Sequence, residues 1–192
     1  MRYYKYFCCS TYLGTSNDSA YGLTKALECS RFMGLKRFQS IQNNFSLLNR
    51  RFLDELANVC RQESVSLLPY SPIAGGVLSG KYQEGARPEN ARFVKYWSLD
   101  DPRLKTMAER FVNSKTLAST AKYIQIANDA GMSPTTLAVA WNMNFDFVAS
   151  TIIGATNPQQ LDDSLQALQM KISPDVLSAC DAVHREILYP MG

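Results

Sequence analysis

The feature that most constrains the fold is a regular alternation of short β-rich segments with longer helical patterns. Three such segments lie at 11–15, 38–43 and 65–70, and a fourth, 147–153, is nearly continuous in apolar character. Helices between strands that are apolar on both faces are typical of a parallel sheet. The sequence therefore predicts an α/β fold with four parallel strands.

Helix boundaries are marked by capping residues. A helix is predicted over 19–33, where Gly34 would end it, and further helical patterns cover 52–63 and 103–129. Three later helices begin at a capping residue followed by proline, namely Ser133-Pro134, Asn157-Pro158 and Ser173-Pro174. The spacing of Asn157 and Gln160 further predicts a capping box.

The stretch 71–102 interrupts this alternation. It is rich in proline and glycine and shows no helical or strand period. A long segment of this kind inside a compact domain is usually functional. We expect it to be irregular and to contribute to a binding site.

Composition excludes several classes of protein. The chain has 192 residues, 46% of them hydrophobic, which is enough for a core and incompatible with disorder. No apolar run approaches the ~18 residues of a membrane span. Nucleic-acid binding is disfavoured because no basic run or known recognition motif occurs. Residues 1–10 match no targeting signal and stay unassigned.

The charge and the cysteines bear on ligands and compartment. Residues 1–96 carry 13 Lys/Arg against 7 Asp/Glu, which suits phosphate-bearing ligands or else forms a solvated basic face. Five cysteines in no metal-ligand spacing predict a reducing, cytoplasmic environment and no metal site, although an organelle stays possible.

Polar and aromatic residues follow the predicted strands. The strand ends lead into Ser16-Asn17, 42–44, Tyr70-Ser71 and 154–156. In parallel sheets, ligands collect at these carboxyl ends. Amide, hydroxyl and aromatic groups suit hydrogen bonding to a carboxamide and stacking on a flat ring, and they do not suit proton transfer.

Two segments could hold a phosphate. The helix predicted after Thr156 would offer its unpaired N–H groups and dipole to an anion, or would simply be an ordinary capped helix. The glycine-rich loop after Tyr70 lets backbone amides approach a pyrophosphate, and Lys81 would add a positive charge. The only histidine, His184, lies far from every strand end, so no catalytic residue is predicted.

Four segments together resemble the aldo/keto reductases, specifically the long-loop branch related to potassium-channel β-subunits. They are YLGTSN at 12–17, SIQN at 40–43, PYSPIAGGVLSGKY at 69–82 and IIGATNPQQL at 152–161. The resemblance covers about residues 11–188. It implies a partial (β/α)8 TIM barrel comprising strands five to eight with their helices, with the N-terminal half missing and the domain covering 11–192. Chain length alone favours an open four-stranded sheet instead.

The resemblance also implies a cofactor site. In this family Ser16, Asn17 and Gln42 would hold the nicotinamide carboxamide, and Tyr70 would stack on its ring. The remaining matches would contact the pyrophosphate or the adenosine 2′-phosphate: Ser71, Ile73, Gly75, Lys81, Arg92, Gly154, Thr156, Gln160, Asp163 and Ser164. The implied cofactor is NADP(H). NAD(H) stays an alternative cofactor, because the uncharged Gln160 stands where several reductases of the family have arginine. We expect Gln42, Tyr70 and Thr156 to surround one cleft.

The catalytic Asp, Tyr, Lys and His of the family match no position in this sequence. The resemblance therefore implies a truncated NAD(P)H-dependent reductase of aldehydes or ketones that carries much of the cofactor site without the catalytic tetrad. Two alternatives are a non-catalytic nucleotide-binding regulatory subunit and a product without a stable fold. Because open strand edges expose unpaired backbone groups, we expect the isolated chain to self-associate.

Overall fold

The computed structural model describes residues 12–191, except for the side chain of residue 159. Three strands form one parallel sheet in the order β1 (Leu13–Ser16), β2 (Phe38–Asn44) and β3 (Ser66–Tyr70). Ile41 of β2 lies opposite Thr15 on one side and Leu67 on the other. All three carboxyl ends therefore lie at the same edge of the sheet.

Eight α-helices are found among the described residues. They are α1 (Ala20–Met33), α2 (Leu56–Glu63), α3 (Arg92–Ser98), α4 (Pro102–Phe111), α5 (Ser114–Asp129), α6 (Pro134–Met143), α7 (Pro158–Gln166) and α8 (Pro174–Glu186). The predicted stop of α1 is confirmed, because Gly34 is left-handed with φ of 66°; Ser19, predicted as the first helical residue, is instead the N-cap, and its hydroxyl accepts from the Gly22 N–H. Ser133, Asn157 and Ser173 likewise cap α6, α7 and α8.

The prediction of a fourth strand over 147–153 is wrong. This segment runs beside β3 but forms only an isolated bridge, between Leu67 and Val148. The Leu67 N–H donates to the Phe147 carbonyl at 2.7 Å. In a parallel ladder the next donor on that side of β3 would be residue 69, which is proline and has no N–H. The ladder stops there, and the chain bulges before Ile152 donates back to the Pro69 carbonyl at 2.9 Å.

The predicted fold class is wrong for the same reason. A partial (β/α)8 barrel with strands five to eight requires four strands, and the described residues contain three parallel strands, with 147–153 attached irregularly at the β3 edge. The broader prediction of an α/β fold with a parallel sheet is confirmed. Residues 1–10, which the sequence left unassigned, lie outside the described residues.

Two further segments differ from expectation. The stretch 71–102 is ordered into short 3₁₀ turns at Ala74–Ser79 and Gln83–Gly85, followed by α3. The single helical tract expected over 103–129 is divided into α4 and α5, because Asn113 caps a new helix. The stretch 71–102 is ordered because Tyr82 and Phe93 pack against each other and are almost fully buried.

The core is centred on aromatic rings that link the end of β2 to α6. The ring of Phe45 lies 4.9 Å from that of Trp141 and 5.2 Å from that of Phe145. The guanidinium of Arg50, only 3% exposed, stacks over Trp141 at 4.5 Å and pairs with Asp181 of α8 at 2.6 Å. This contact attaches the loop after β2 to α6 and α8, which holds the sheet against the helices around the site.

Candidate functional site

A cavity of about 360 Å³ lies between the loop after β3, the segment 152–156 and the start of α7. Its lining residues include nine of the fourteen predicted cofactor-binding residues: Ser71, Ile73, Gly75, Lys81, Arg92, Gly154, Thr156, Gln160 and Ser164. The walls thus come from segments that are distant in sequence. The loop after β3 forms one wall, and the N-terminus of α7 forms the facing wall.

The loop after β3 is shaped by left-handed backbone. Ser71, Ala74, Gly75 and Gly76 have φ of 56°, 49°, 65° and 97°. A Cβ at residue 75 would lie 2.6 Å from the Phe93 ring, and one at residue 76 would lie 2.5 Å from the end of the Lys81 side chain. The two glycines therefore make room for neighbouring side chains, and Gly76 in particular makes room for Lys81.

The cavity carries positive charge. Lys81 and Arg92 both line it, and none of the other described residues in its wall is acidic. Burial lowers the pKa of the Lys81 ammonium, and the like charge of Arg92 lowers it further. Two cations held together in a half-enclosed space without a carboxylate are well suited to binding an anion with more than one negative charge.

The N-terminus of α7 forms the opposite wall. The Asn157 side chain accepts from the Gln160 N–H at 3.0 Å, which confirms the predicted cap. The predicted capping box is not formed, because the Gln160 Oε1 accepts from the N–H and the hydroxyl of Thr156, at 3.0 and 3.1 Å. The Gln160 Nε2 therefore stays available as a donor to a ligand.

The other predicted residues form a polar cluster at the carboxyl ends of the strands. The Tyr70 hydroxyl donates to the Asn17 Oδ1 at 2.8 Å, and the Asn17 Nδ2 donates to the Ser16 Oγ at 3.1 Å. The Asn17 N–H donates to the Gln42 carbonyl and to the Asn43 Oδ1, both at 2.9 Å. The amide of Gln42 has no partner among residues 12–191 and is free to bind a carboxamide.

The structure separates the predicted site into two neighbouring groups. Gln42 and Tyr70 do not line the cavity that contains Thr156, so the expectation of one common cleft is not met. The groups adjoin at the Tyr70–Ser71 peptide, where Tyr70 belongs to the polar cluster and Ser71 to the cavity. Asp163 is also outside the cavity wall, and its carbonyl accepts from the Thr136 hydroxyl at 2.8 Å.

Several cavity residues were missed by sequence reasoning. Asn90 and Pro72 contribute from the loop, and Val139, Ile152 and Ile153 supply an apolar side. Asn90 precedes Arg92 by two positions in a stretch already expected to be functional, which is the one signal that could have identified it. The contribution of Val139 depends on how α6 packs and has no local signal.

The cavity wall contains no carboxylate, imidazole or phenol among the described residues. No cluster of possible metal ligands occurs among them either. His184 packs against the Tyr189 ring at 5.7 Å, near the C-terminal end of α8. Cys29, Cys60 and Cys180 are free thiols. The described part of the chain also has no helix long and apolar enough to cross a membrane.

Comparison with known proteins gives one family. The model described as "Aldo/keto reductase family" matches residues 11–185. The match begins close to the start of the chain and does not support the narrower prediction of a C-terminal half only.

Three curated proteins illustrate the similarity. The protein tas of Escherichia coli (strain K12) is 37% identical over 179 residues, covering 93% of this chain and 49% of that protein. A probable voltage-gated potassium channel subunit beta of Oryza sativa subsp. japonica is 31% identical, covering 90% and 52%. The L-glyceraldehyde 3-phosphate reductase of E. coli (strain K12) is 28% identical, covering 66% and 36%. In the first two comparisons the chain spans about half the length of its relative.

Proposed function

Because the chain belongs to the aldo/keto reductase family, we propose that its cavity binds the phosphates of a nicotinamide adenine dinucleotide and its polar strand-end cluster binds the nicotinamide. The observation that carries this proposal is that Lys81 and Arg92 line the same cavity as Gln160 and Ser164 of α7. Two cations, together with the unbound Nε2 donor of Gln160, suit a ligand that carries phosphates.

The residues present fit such a cofactor. Gly76 leaves the space that the Lys81 side chain occupies, so the ammonium is held at the cavity wall. The free amide of Gln42 and the Ser16–Asn17–Tyr70 hydrogen bonds form a polar surface beside it, as a carboxamide requires. When bound, the reduced cofactor would supply a hydride to an aldehyde or ketone.

The preferred cofactor is proposed to be NADP(H). Its additional phosphate would lie near Gln160, Thr156 and Ser164, where the Gln160 Nε2 is the available donor. Because this wall carries no cation, the preference over NAD(H) depends on hydrogen bonds and the α7 dipole rather than on a full charge pair. We therefore expect a smaller ratio of NADPH to NADH affinity than an arginine at this position would give.

The proposed role of these residues is binding and not proton transfer. Carbonyl reduction needs an acid that protonates the forming alkoxide, and the phenol of the strand-end cluster, that of Tyr70, already donates its proton to the Asn17 Oδ1. This observation favours a second candidate, a nucleotide-binding regulatory subunit, and the similarity to a channel β-subunit is compatible with it. A cytoplasmic location stays a prediction, with which the free thiols agree.

Cofactor fluorescence tests the binding proposal. Titration of the purified chain with NADPH is expected to show saturable binding that Lys81→Met and Arg92→Met each weaken at least about tenfold, the effect of losing one charged hydrogen bond. Lys171→Met removes an exposed lysine that does not line the cavity and is expected to leave the affinity unchanged. Equal losses in all three variants would contradict the proposed site.

Turnover separates the two candidate functions. The chain with saturating NADPH and a small aromatic aldehyde is expected to give binding without oxidation of the cofactor. Steady NADPH oxidation that depends on the aldehyde would show that an acid is present in this chain and would favour the reductase over the regulatory subunit.

A further inference from the structure

The ammonium of Lys81 lies without a counter-ion in the cavity proposed for the cofactor phosphates. Its Nζ is 2.5 Å from the position that a Cβ at residue 76 would occupy and 5.5 Å from the centre of the Tyr82 ring. Among residues 12–191 it has no hydrogen bond and no ion pair. Other lysines of the described chain, namely Lys25, Lys105 and Lys122, each pair with a carboxylate. Lys81 is therefore an amine whose charge no neighbouring acid stabilises.

The surroundings of Lys81 favour its neutral form. Burial lowers the pKa of the ammonium, and the positive charge of Arg92 lowers it further. No carboxylate lines the cavity among the described residues to oppose this shift. Because only the neutral amine has a free electron pair, a lysine that is desolvated beside a second cation is a nucleophile at lower pH than an exposed one.

Donors for a phosphate lie in the same cavity. Arg92 has a guanidinium that can bind a phosphate through two hydrogen bonds, and the Nε2 of Gln160 and the side-chain amide of Asn90 have no partner among residues 12–191. Val139 and Ile153 also line the cavity and give it an apolar side. The cavity therefore suits a small molecule that joins a phosphate to a short apolar group, with the lysine amine in the same space.

We propose that small acyl phosphates acylate Lys81 in this cavity, with Arg92 and Gln160 binding the phosphate. An acyl phosphate joins the two features that the cavity selects, since its phosphate is attached directly to a reactive carbonyl carbon. The Nζ attacks that carbon, a C–N bond forms and the C–O bond to the phosphate breaks. The phosphate leaves with the electron pair of that bond, and the nitrogen loses one proton to it. The products are an amide at Lys81 and inorganic phosphate, so no further reactant is needed.

Acylation changes the charge of the cavity. An amide at Lys81 is neutral, so Arg92 is left as the one cation among the described residues of the wall. The consequence for the cofactor rests on the proposed function: the acylated chain is expected to bind NADPH roughly tenfold more weakly, the effect of losing one charged hydrogen bond. Acyl phosphates would thereby regulate how much cofactor the chain holds, and bound cofactor would in turn protect the amine.

Mass spectrometry of the purified chain, incubated with acetyl phosphate in the absence of NADPH, tests the acylation. Acetylation of Lys81 is expected to reach a limiting rate as the acetyl phosphate concentration is raised, because the phosphate binds first. Lys115 and Lys171 are exposed, do not line the cavity and serve as internal controls, whose rates are expected to rise linearly. Inorganic pyrophosphate is expected to abolish the excess of the Lys81 rate over the control rates. A Lys81 rate no higher than the controls, or one that pyrophosphate does not lower, would overturn the proposal.

Arginine variants separate phosphate binding from the reactivity of the amine itself. Arg92→Met removes the guanidinium of the cavity, and Arg87→Met is the matched control, because Arg87 stacks on Trp97 at 4.9 Å and does not line the cavity. Acetic anhydride is the second reagent, since it delivers the same acetyl group without a phosphate. Arg92→Met is expected to lower the ratio of the acetyl phosphate rate to the anhydride rate at Lys81 at least about tenfold, and Arg87→Met to leave this ratio unchanged. Equal losses with both reagents, or in both variants, would show that the phosphate does not direct the transfer.

NADPH titration of the acetylated chain tests the regulatory consequence separately. A lower NADPH affinity after acetylation of Lys81 would support both the acylation and the cofactor role of this lysine. Acetylation that leaves the affinity unchanged would overturn the regulatory consequence together with that cofactor role. Normal NADPH binding by a chain that acetyl phosphate does not modify at Lys81 would overturn the acylation alone.

Discussion

At the residue scale, the phosphate cavity depends on a glycine whose function is to leave space. Gly76 has φ of 97°, and the Lys81 ammonium occupies the volume that a side chain at residue 76 would need. The glycine-rich loop was predicted to let backbone amides approach a pyrophosphate. The structure shows that its glycines also determine where a cation lies.

Replacing this glycine is expected to weaken cofactor binding. Gly76→Ala adds a methyl group against the end of the Lys81 side chain and forces that ammonium away from the cavity. We expect NADPH affinity to fall roughly tenfold and the free energy of unfolding to fall by roughly 1–3 kcal/mol, because alanine is strained at this φ. Fluorescence titration and urea denaturation measure the two effects.

Gly85 provides the matched control. It also has a positive φ, 75°, but a Cβ there meets no atom within 4 Å. Gly85→Ala is expected to lower stability through backbone strain while leaving NADPH affinity unchanged. If both variants bound NADPH as tightly as the original chain, the position of Lys81 would not matter for binding.

At the element scale, one capping residue decides how the chain leaves α4. Asn113 accepts from the N–H groups of Lys115 and Thr116, and the Thr116 hydroxyl in turn accepts from the Asn113 N–H. This reciprocal capping box begins α5 and ends the helical tract that periodicity alone joined to α4. The Asn113 Nδ2 also donates to carbonyls at the end of α4, so one side chain stabilises both helix ends.

Removing this cap is expected to destabilise the fold. Asn113→Ala leaves the first N–H groups of α5 without their side-chain acceptor, and the expected loss is about 1–2 kcal/mol in the free energy of unfolding. Urea denaturation followed by circular dichroism provides the measurement. Asn128→Ala changes the same residue type at an exposed position late in α5 and is expected to cost less than about 0.5 kcal/mol. Equal costs would show that the capping box does not contribute.

At the scale of the whole molecule, the loop after β2 and the end of α8 are joined by a charged cluster. Arg50 pairs with Asp181, the Tyr189 hydroxyl donates to the Asp54 carboxylate at 3.0 Å, and His184 packs against Tyr189. Burial lowers the pKa of His184 below 6.5, and the charge of Arg50 adds to this, whereas Asp181 and Asp54 oppose it.

This shift predicts a stability that falls on mild acidification. When the pH drops below about 6.5, the unfolded chain binds a proton at His184 before the folded chain does, so the unfolded state is favoured. The melting temperature is expected to fall between about pH 7.5 and about pH 5.5, and His184→Gln is expected to flatten this part of the profile. Because His184 is the only histidine, an unchanged profile in the variant would assign the effect to another group.

Much of the local structure was predictable because it depends on neighbouring residues. The caps at Ser133, Asn157 and Ser173 and the left-handed stop at Gly34 follow from side chains within one helical turn. Lys81, Arg92 and Gln160, which the family resemblance assigns to the cofactor phosphates, line one cavity, and their cofactor role stays a prediction. The location of Gln42 and Tyr70 in a separate cluster was not predicted, since it depends on how the loop after β3 turns at Ser71.

The sequence by itself determined the α/β character with a parallel sheet, the position of most helices and the polar character of the strand ends, because periodicity and capping are local properties. Tertiary structure decided the number of strands and the division of the site. Pro69 lacks a backbone N–H, which matters only once residues 147–153 lie beside β3. The burial that lowers the pKa of Lys81 likewise exists only in the folded chain. Both effects arise between residues distant in sequence, where local patterns carry no information.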